Sequence, residues 1–482
     1  MPNVLATLML LIWPLVTVAM YAQMPVQRAV VWSVLSAYLI LPAATEIDLP
    51  LIPGLSKYMI PAFFGYIAAC ATQGRLIPLI PRSALARLFL AMVIFGTIGT
   101  VLTNADPVFV NRETIIPALR PYDALSMVMN HLGWLLIWAL AREFLTDREG
   151  VMLFARALVV SFLIYSVPML YEIRMSPQLH RMIYGFFQHD FGQMMRQGGF
   201  RPIVFLEHGL WVAILTAMAF LTALVLARDA APGQKAGWYR AGAYLGVLLV
   251  LCKSIAALIY AAALLPVFLW GRARLMLRVA VLISILILAF PMLRGAGLIP
   301  TDEMVEMVAG FSADRAQSLG FRFHHEDAFL DRAAERPVFG WGGWGRNATY
   351  DPLTGENLSV ADGQWIISIG ISGYVGFIGY FGLLAAPIFL MGRAYRRAGR
   401  EVPVLAAGMA LVLAVNLVDL LPNATLTPVT WLLTGGLLGY LERLGQGASE
   451  PESPVAASAA PRRRNFAGLV GATTPMGPRS LL

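Results

Sequence analysis

Four arginines, Arg174, Arg181, Arg196 and Arg201, fall within "YEIRMSPQLHRMIYGFFQHDFGQMMRQGGFRP", opposed there by only Glu172 and Asp190. A guanidinium offers paired donors that match phosphate oxygens and keeps its charge in a partly dry cavity, so such a loop can hold an anion. The glycines of "QGGFRP" let the backbone approach a ligand closely beside Arg201. A solvated loop set against lipid headgroups would carry the same charges. Glu207 and His208 follow at the mouth of an otherwise apolar helix, where ionisable groups are costly unless they face a water-filled cavity or a partner. They serve either the anion site or a simple salt bridge.

A second cluster lies in "SLGFRFHHEDAFLDRAAERPVFGWGGWGRN". Arg322, His325, Glu326 and Phe329 are spaced i, i+3, i+4 and i+7 and share one face of an expected helix, which Pro337 and the following glycines end. A cation, an imidazole and a carboxylate on one face can bind an anion and accept a proton, the two needs of a sugar transfer from a phosphate leaving group. An exposed amphipathic helix laced with i, i+4 charge pairs has the same spacing. His324 and His325 suit a metal poorly, because adjacent helical positions point about 100° apart. Asp362, in "ADGQW", is a further carboxylate, set just before a glycine-rich apolar segment.

The elements that must position these residues are membrane helices. Of 482 residues 58% are hydrophobic and 13% charged, and the mean hydropathy of +0.68 exceeds what a soluble core needs. The apolar residues form about thirteen blocks, most near the roughly 20 residues that cross a hydrocarbon core about 30 Å thick. Segments such as "VLATLMLLIWPLVTVAMYA" are apolar on every face, which excludes the alternating pattern of an outer-membrane barrel. The expected fold is an all-α polytopic membrane protein with about 12 to 13 transmembrane helices. Its helical bundle covers 1–441, with long connections at 172–203 and 294–364 and a disordered, cytoplasmic, Pro-, Ala- and Ser-rich tail at 442–482. The N-terminal block lacks a basic n-region and a cleavage site and is expected to be a first span.

Alternate connections, "QGRLIPLIPRSALAR", "ARDAAPGQK", "GRARLMLR" and "GRAYRRAGREV", are basic, and the positive-inside rule assigns them to the cytoplasm. Both long connections then emerge on the periplasmic side of a bacterial inner membrane, and the second is expected to be partly helical. The formal charge of +8 follows from such loops, so nucleic-acid binding is not implied. Cys70 and Cys252 both lie in apolar blocks and supply neither a disulfide framework nor a zinc site. Glycines in "GISGYVGFIGYFG" suit close helix packing, or alternatively a groove for a lipid chain.

This layout, with "GGFRP" opening a span, "FR" followed fifteen residues later by "PVFGWGGWG", and a polar residue before "GISGYVGFIGYFG", resembles bacterial O-antigen ligases and polymerases. The likeness is detailed over roughly residues 196–385 and extends to the overall arrangement. It implies a class C membrane glycosyltransferase fold with a large periplasmic loop containing helix. It also implies an enzyme that acts on undecaprenyl-pyrophosphate-linked oligosaccharide without metal or cofactor, among membrane lipids and other polysaccharide assembly proteins. By the same resemblance Arg201 and Arg322 hold the pyrophosphate; Arg196, Glu207 and His208, singled out above by their charge and position, are the further candidates for substrate binding. Ligases of the family usually carry a histidine where this sequence has Asp362, which favours a polymerase of exopolysaccharide, capsule or O-antigen over a ligase to lipid A core. Asp362 is the preferred proton acceptor, ahead of His325, then Glu326 and Glu207. A transporter would instead need ionisable groups and broken helices near the midplane, where Lys253 and Asp419 are the main candidates. A noncatalytic assembly scaffold is the remaining class.

Overall fold

The computed structural model describes residues 1–49, 52–196, 198–398 and 401–446. All thirteen apolar blocks are helical: α1 (Val4–Gln23), α2 (Val26–Ile40), α3 (Met59–Gln73), α4 (Ala84–Leu102), α5 (Pro121–Phe144), α6 (Arg148–Met175), and, after the short α7 (Leu179–Tyr184), α8 (Gly209–Asp229), α9 (Pro232–Leu251), α10 (Ile255–Trp270) and α11 (Ala273–Gly295). Two helices of the long second connection, α12 (Thr301–Ala309) and α13 (Ala313–Ala334), precede α14 (Gln364–Ala398), α15 (Val404–Asp419) and α16 (Pro428–Leu444). Seven of them, α1, α4, α5, α6, α8, α11 and α14, are long and apolar enough to cross a membrane, and α2, α3, α10 and α15 are shorter apolar helices. The chain has the architecture of a multi-pass helical membrane protein.

Burial sorts these helices into centre and rim. Along α8 and α15 nearly every side chain is buried, whereas α1 leaves Leu8, Leu11, Ile12 and Leu15 exposed, as a helix against lipid would. Close approach at the centre depends on small residues. A Cβ on Gly435 would stand 2.3 Å from the Trp138 carbonyl oxygen, and one on Gly439 would stand 2.1 Å from that of Arg142, so the Gly-x-x-x-Gly face of α16 lies directly on α5. The glycine-rich part of α14 is spent in the same way: a Cβ on Gly379 would meet the Val93 amide nitrogen of α4 at 2.8 Å.

The described parts of the four basic connections gather at one end, where Arg393, Ala394 and Arg397 share a pocket with Arg82 and Ser83. There Arg142 donates to the carbonyls of Pro78 and Ile80 and pairs with Glu442, Arg148 pairs with Asp229 at 2.5 Å, and Arg228 donates to the Gly271 carbonyl at 2.7 Å. The opposite end carries three small antiparallel hairpins, β1 (Glu46–Leu49) with β2 (Ile52–Ser56), β3 (Val108–Phe109) with β4 (Ile115–Ile116), and β5 (Met195–Arg196) with β6 (Gly199–Phe200). It also carries α12 and α13. Two boundaries differ from the sequence expectation: α6 runs to Met175, which takes Glu172 out of the first connection, and α16 runs to Leu444. The rest of the tail expected at 442–482 lies, from 447 on, outside the described residues.

A continuous span was expected near 365–391, and α14 is instead broken at Gly373, with φ 62° and ψ −168°. The segment 337–342 enters the break. Trp341 and Gly342 donate to the carbonyls of Gly370 and Ile371, while Tyr374 and Val375 donate to those of Pro337 and Val338. Irregular backbone in a membrane helix is stable only when its peptide groups are satisfied by protein, and here the loop satisfies both half-helix ends. A Cβ on Gly373 would lie 2.4 Å from the Val338 carbonyl, and one on Gly340 would lie 2.6 Å from the Gly373 amide. Only glycine fits either position, since both also have positive φ. Behind the loop, Trp341 carries the guanidinium of Arg332 3.3 Å from its ring centre and that of Arg336 at 4.1 Å. Arg346, fully buried, donates to the Pro117, Asp106 and Trp341 carbonyls. The "PVFGWGGWGR" segment thus anchors the end of α13 onto α4, α14 and the connection after α4.

Candidate functional site

At the end bearing α13 lies an open cavity of about 480 Å³. His189, Gln193 and Arg196 of the first connection, His208, Leu210 and Trp211 at the start of α8, and Ser318, Phe321 and Arg322 of α13 line it. Val360, Ala361 and Asp362 before α14, with Asn423 and Ala424 between α15 and α16, complete the wall. Segments as distant in sequence as the first connection and α13 therefore face one space.

The first connection is held rigidly. Glu172, fully buried in α6, accepts hydrogen bonds from the amides of Leu179, Ile203 and Val204 at 2.8–3.0 Å. Gln188 donates to the carbonyls of Val204 and Leu206. Lys253, with φ 51°, donates from Nζ to the Arg196 carbonyl at 2.9 Å and so fixes the β5–β6 hairpin. His208 caps α8: its Nδ1 accepts from the Leu210 amide at 3.0 Å, which leaves the proton on Nε2, 3.2 Å from Gln193 Oε1. The His189 ring packs edge-on at 4.5 Å.

Arg201 does not line the cavity. Its stem lies against Gly209, where a Cβ would be 2.2 Å from Arg201 Cδ, and one terminal nitrogen donates to the Lys253 carbonyl at 3.0 Å. It is 5% exposed, its Nε has no hydrogen-bond partner, and among the described residues no carboxylate pairs with it. Burial, and then the charges of Arg196 and Arg322, lower its pKa to about 10. Burial first, then His189, Arg201, Arg196 and Arg322, depress that of His208 to about 3. Arg196, Arg201 and Arg322 therefore act on one region, and the imidazole beside them is neutral.

Asp362 is the one carboxylate in the cavity wall among the described residues. Its Oδ2 lies 3.2 Å from Arg322 Nε, with both side chains partly exposed. Arg322 also reaches the Pro422 carbonyl at 3.5 Å. Since that pair uses Nε alone, the remaining donors of Arg322 can meet an anion while Asp362 stays bound to the same side chain.

The remaining sequence candidates are placed elsewhere. Glu207 turns to the far side of its strand of chain, where Lys57 Nζ stands 3.3 Å from its Oε1 and the Tyr38 hydroxyl 3.3 Å from its Oε2. The salt-bridge alternative applies to it, because a buried Lys57 needs a counter-charge and Glu207 supplies it. Glu326 points under α13 to Arg294, with Trp365 beside it, and burial raises its pKa to about 7 despite that cation. His325 is half-buried with its ring 4.1 Å from Phe321, at the cavity's edge rather than in its wall. Asp419, raised above as a transport candidate, is buried and accepts from Asn423 and Thr425. The peptide groups of the α14 break are likewise taken up by the 337–342 loop and are not offered to a solute.

Residues not anticipated from sequence are His189, Gln193, Trp211, Ser318, Phe321 and Asn423. His189 and Gln193 lay within the arginine-bearing connection and carried a signal. Asn423 sits in a short turn, "LPNATLTP", whose only mark was polarity between two apolar blocks. No protein-family profile and no curated protein matches the sequence.

Proposed function

We propose that this protein is a membrane glycosyltransferase that polymerises undecaprenyl-pyrophosphate-linked glycan repeat units on the periplasmic face of the bacterial inner membrane, for exopolysaccharide, capsule or O-antigen. The observation that carries this reading is the cavity lined by Arg196 and Arg322, with the charge of the buried Arg201 close to both, in whose wall Asp362 is the one carboxylate among the described residues. A buried guanidinium without a counter-ion costs stability, and a polyanionic ligand offsets that cost. A volume of about 480 Å³ suits a pyrophosphate and its attached sugar.

In this reading the acceptor hydroxyl attacks the anomeric carbon of the donor sugar. The bond from that carbon to the phosphate oxygen breaks, and the electron pair leaves with the lipid pyrophosphate. The arginines stabilise the charge that develops on the departing oxygen, where preorganised donors have most effect. Asp362 takes the acceptor's proton, with Arg322 orienting the carboxylate through Nε. The resemblance noted above and the multi-pass helical architecture support the same assignment.

The test is conversion of lipid-linked repeat units into longer glycan by purified protein in nanodiscs. Asp362→Asn is expected to lower turnover about a hundredfold or more while leaving substrate binding in place. Arg322→Lys keeps the charge but loses the fork, and activity falls with normal expression. Near-normal turnover in Asp362→Asn would move the base to His325. Transfer only to a lipid A core acceptor would make the protein a ligase, and no transfer to either acceptor would remove the reaction class.

A further inference from the structure

At the basic end, far along α11 and α14 from the cavity just described, a groove of about 830 Å³ runs between these two helices. On α11, Arg274 and Arg278 are followed on the same face by Val281, Leu282 and Ile285, a spacing of i, i+4, i+7, i+8 and i+11. On α14, which runs the other way, Phe389 and Leu390 lead to Arg393 and Arg396. Each helix therefore contributes an apolar stripe that ends in two arginines, and the charged ends coincide. The helices close on each other at Gly392, where a Cβ would stand 3.1 Å from Val281 and floor the groove.

We propose that this groove binds one anionic phospholipid, its phosphate held by Arg274, Arg278, Arg393 and Arg396 and an acyl chain lying along Leu282 and Ile285. Three observations select an amphiphile with a negative head. Among the described residues no acidic side chain lines the groove and none of the four arginines has an ion-pair partner. Leu282 and Ile285 remain 56% and 50% exposed, so the stripe has no protein cover among the described residues. From Arg274 to Ile285 the helix rises about 16 Å, close to half of a 30 Å hydrocarbon core, which is the depth of one leaflet's chain. A free phosphate would use the arginines and leave the stripe bare. A basic pocket between membrane helices is a recognised setting for anionic headgroups. The ligand chemistry and the place are both separate from the proposed transfer site, so either can fail alone.

The test is lipid titration of the full-length protein in detergent, read by native mass spectrometry, with phosphatidylglycerol and cardiolipin against phosphatidylcholine. Anionic lipid is expected to be retained in preference to phosphatidylcholine, and each of Arg274→Gln/Arg278→Gln and Arg393→Gln/Arg396→Gln is expected to weaken it about thirtyfold. Ile285→Trp, which fills the groove at an exposed position without altering charge, is expected to weaken it as well. Lys235→Gln/Arg240→Gln, on α9 outside the groove, should leave binding unchanged. An equal loss in that control would mean general surface attraction and overturn the site. Unchanged lipid binding in Ile285→Trp, or displacement of the lipid by millimolar inorganic phosphate alone, would remove the acyl chain from the groove and overturn the proposal equally.

Discussion

His208 links the cationic character of the cavity to a measurable stability. The side chain is 5% exposed, and its pKa falls from 6.5 to about 3 because burial and then His189, Arg201, Arg196 and Arg322 all disfavour the imidazolium. An unfolded chain takes up a proton there near pH 6.5, whereas the folded one refuses it until about pH 3. The unfolded state thus binds more protons through this window, and stability contributed by the neutral imidazole is lost as pH falls below 6.5. At about pH 5 the cost is roughly 1.5 pH units at about 1.4 kcal/mol each, or about 2 kcal/mol. Asparagine also caps helices well, so His208→Asn keeps an acceptor for the Leu210 amide and removes only the titration. Melts of nanodisc-embedded protein followed by tryptophan fluorescence should show the variant gaining on the wild type as pH drops from about 7.5 to 5. Added pyrophosphate supplies the missing negative charge and raises the imidazole's proton affinity, so it should bind more tightly on acidification in the wild type and not in His208→Asn. A constant separation of the two melting profiles across this range would refute the placement of three arginines around a neutral His208.

Glu326 has the opposite sign. Burial raises its pKa from 4.5 to about 7, so the folded state holds a proton that the unfolded state releases, and stability falls as pH rises through that window. Glu326→Gln should match the wild type at about pH 4 and exceed it by about 3 kcal/mol above pH 7, and identical melts at both pH values would dissolve the argument. Gly373→Ala forces a Cβ to within 2.4 Å of the Val338 carbonyl at a φ of 62°, and should cost at least about 3 kcal/mol in thermal stability. Gly237→Ala, on α9 with open space around it, should be neutral or slightly stabilising, and equal losses in both would show that the 337–342 loop does not enter the helix break. For the topology, single cysteines at Ser318 and Ala394 sit at opposite ends of the bundle. An impermeant thiol reagent on intact cells should label the first and spare the second, and the reverse pattern would invert the chain in the membrane.

Features of the sequence that repeat locally were legible, and features that depend on distant partners were not. The spacing of Arg322, His325, Glu326 and Phe329 identified α13 because helical period is a property of neighbouring residues. That spacing could not separate Arg322, which turns to Asp362, from Glu326, which turns to Arg294, because each direction is set by a residue elsewhere in the chain. Glycine content in α14 signalled close packing but concealed the break at Gly373, since the groups that fill it belong to residues 337–342. Glu207 looked like a cavity residue from its neighbour His208. Its actual partner, Lys57, lies in the connection between β2 and α3, where nothing marked it as buried. Alternation of basic connections located one end of the bundle because it requires only span counting.

The disposition of carboxylates around the arginine cluster is what gives the cavity its sign. Glu172, Glu207 and Asp419 all belong to segments that border it, and each could have neutralised an arginine. Glu172 is committed to three backbone amides, Glu207 to Lys57 and Tyr38, and Asp419 to Asn423 and Thr425. Asp190, in the first connection, accepts from the Gly192 amide. In the cavity wall only Asp362 remains among the described residues, and it meets Arg322 at a partly exposed edge where an ion pair contributes little to stability. A fold that needed these arginines only for structure would gain by turning one nearby carboxylate toward Arg201, whose Nε is buried without an acceptor. Instead the carboxylates build the walls and the positive charge is left uncompensated, which is the arrangement expected when a ligand supplies the negative charge.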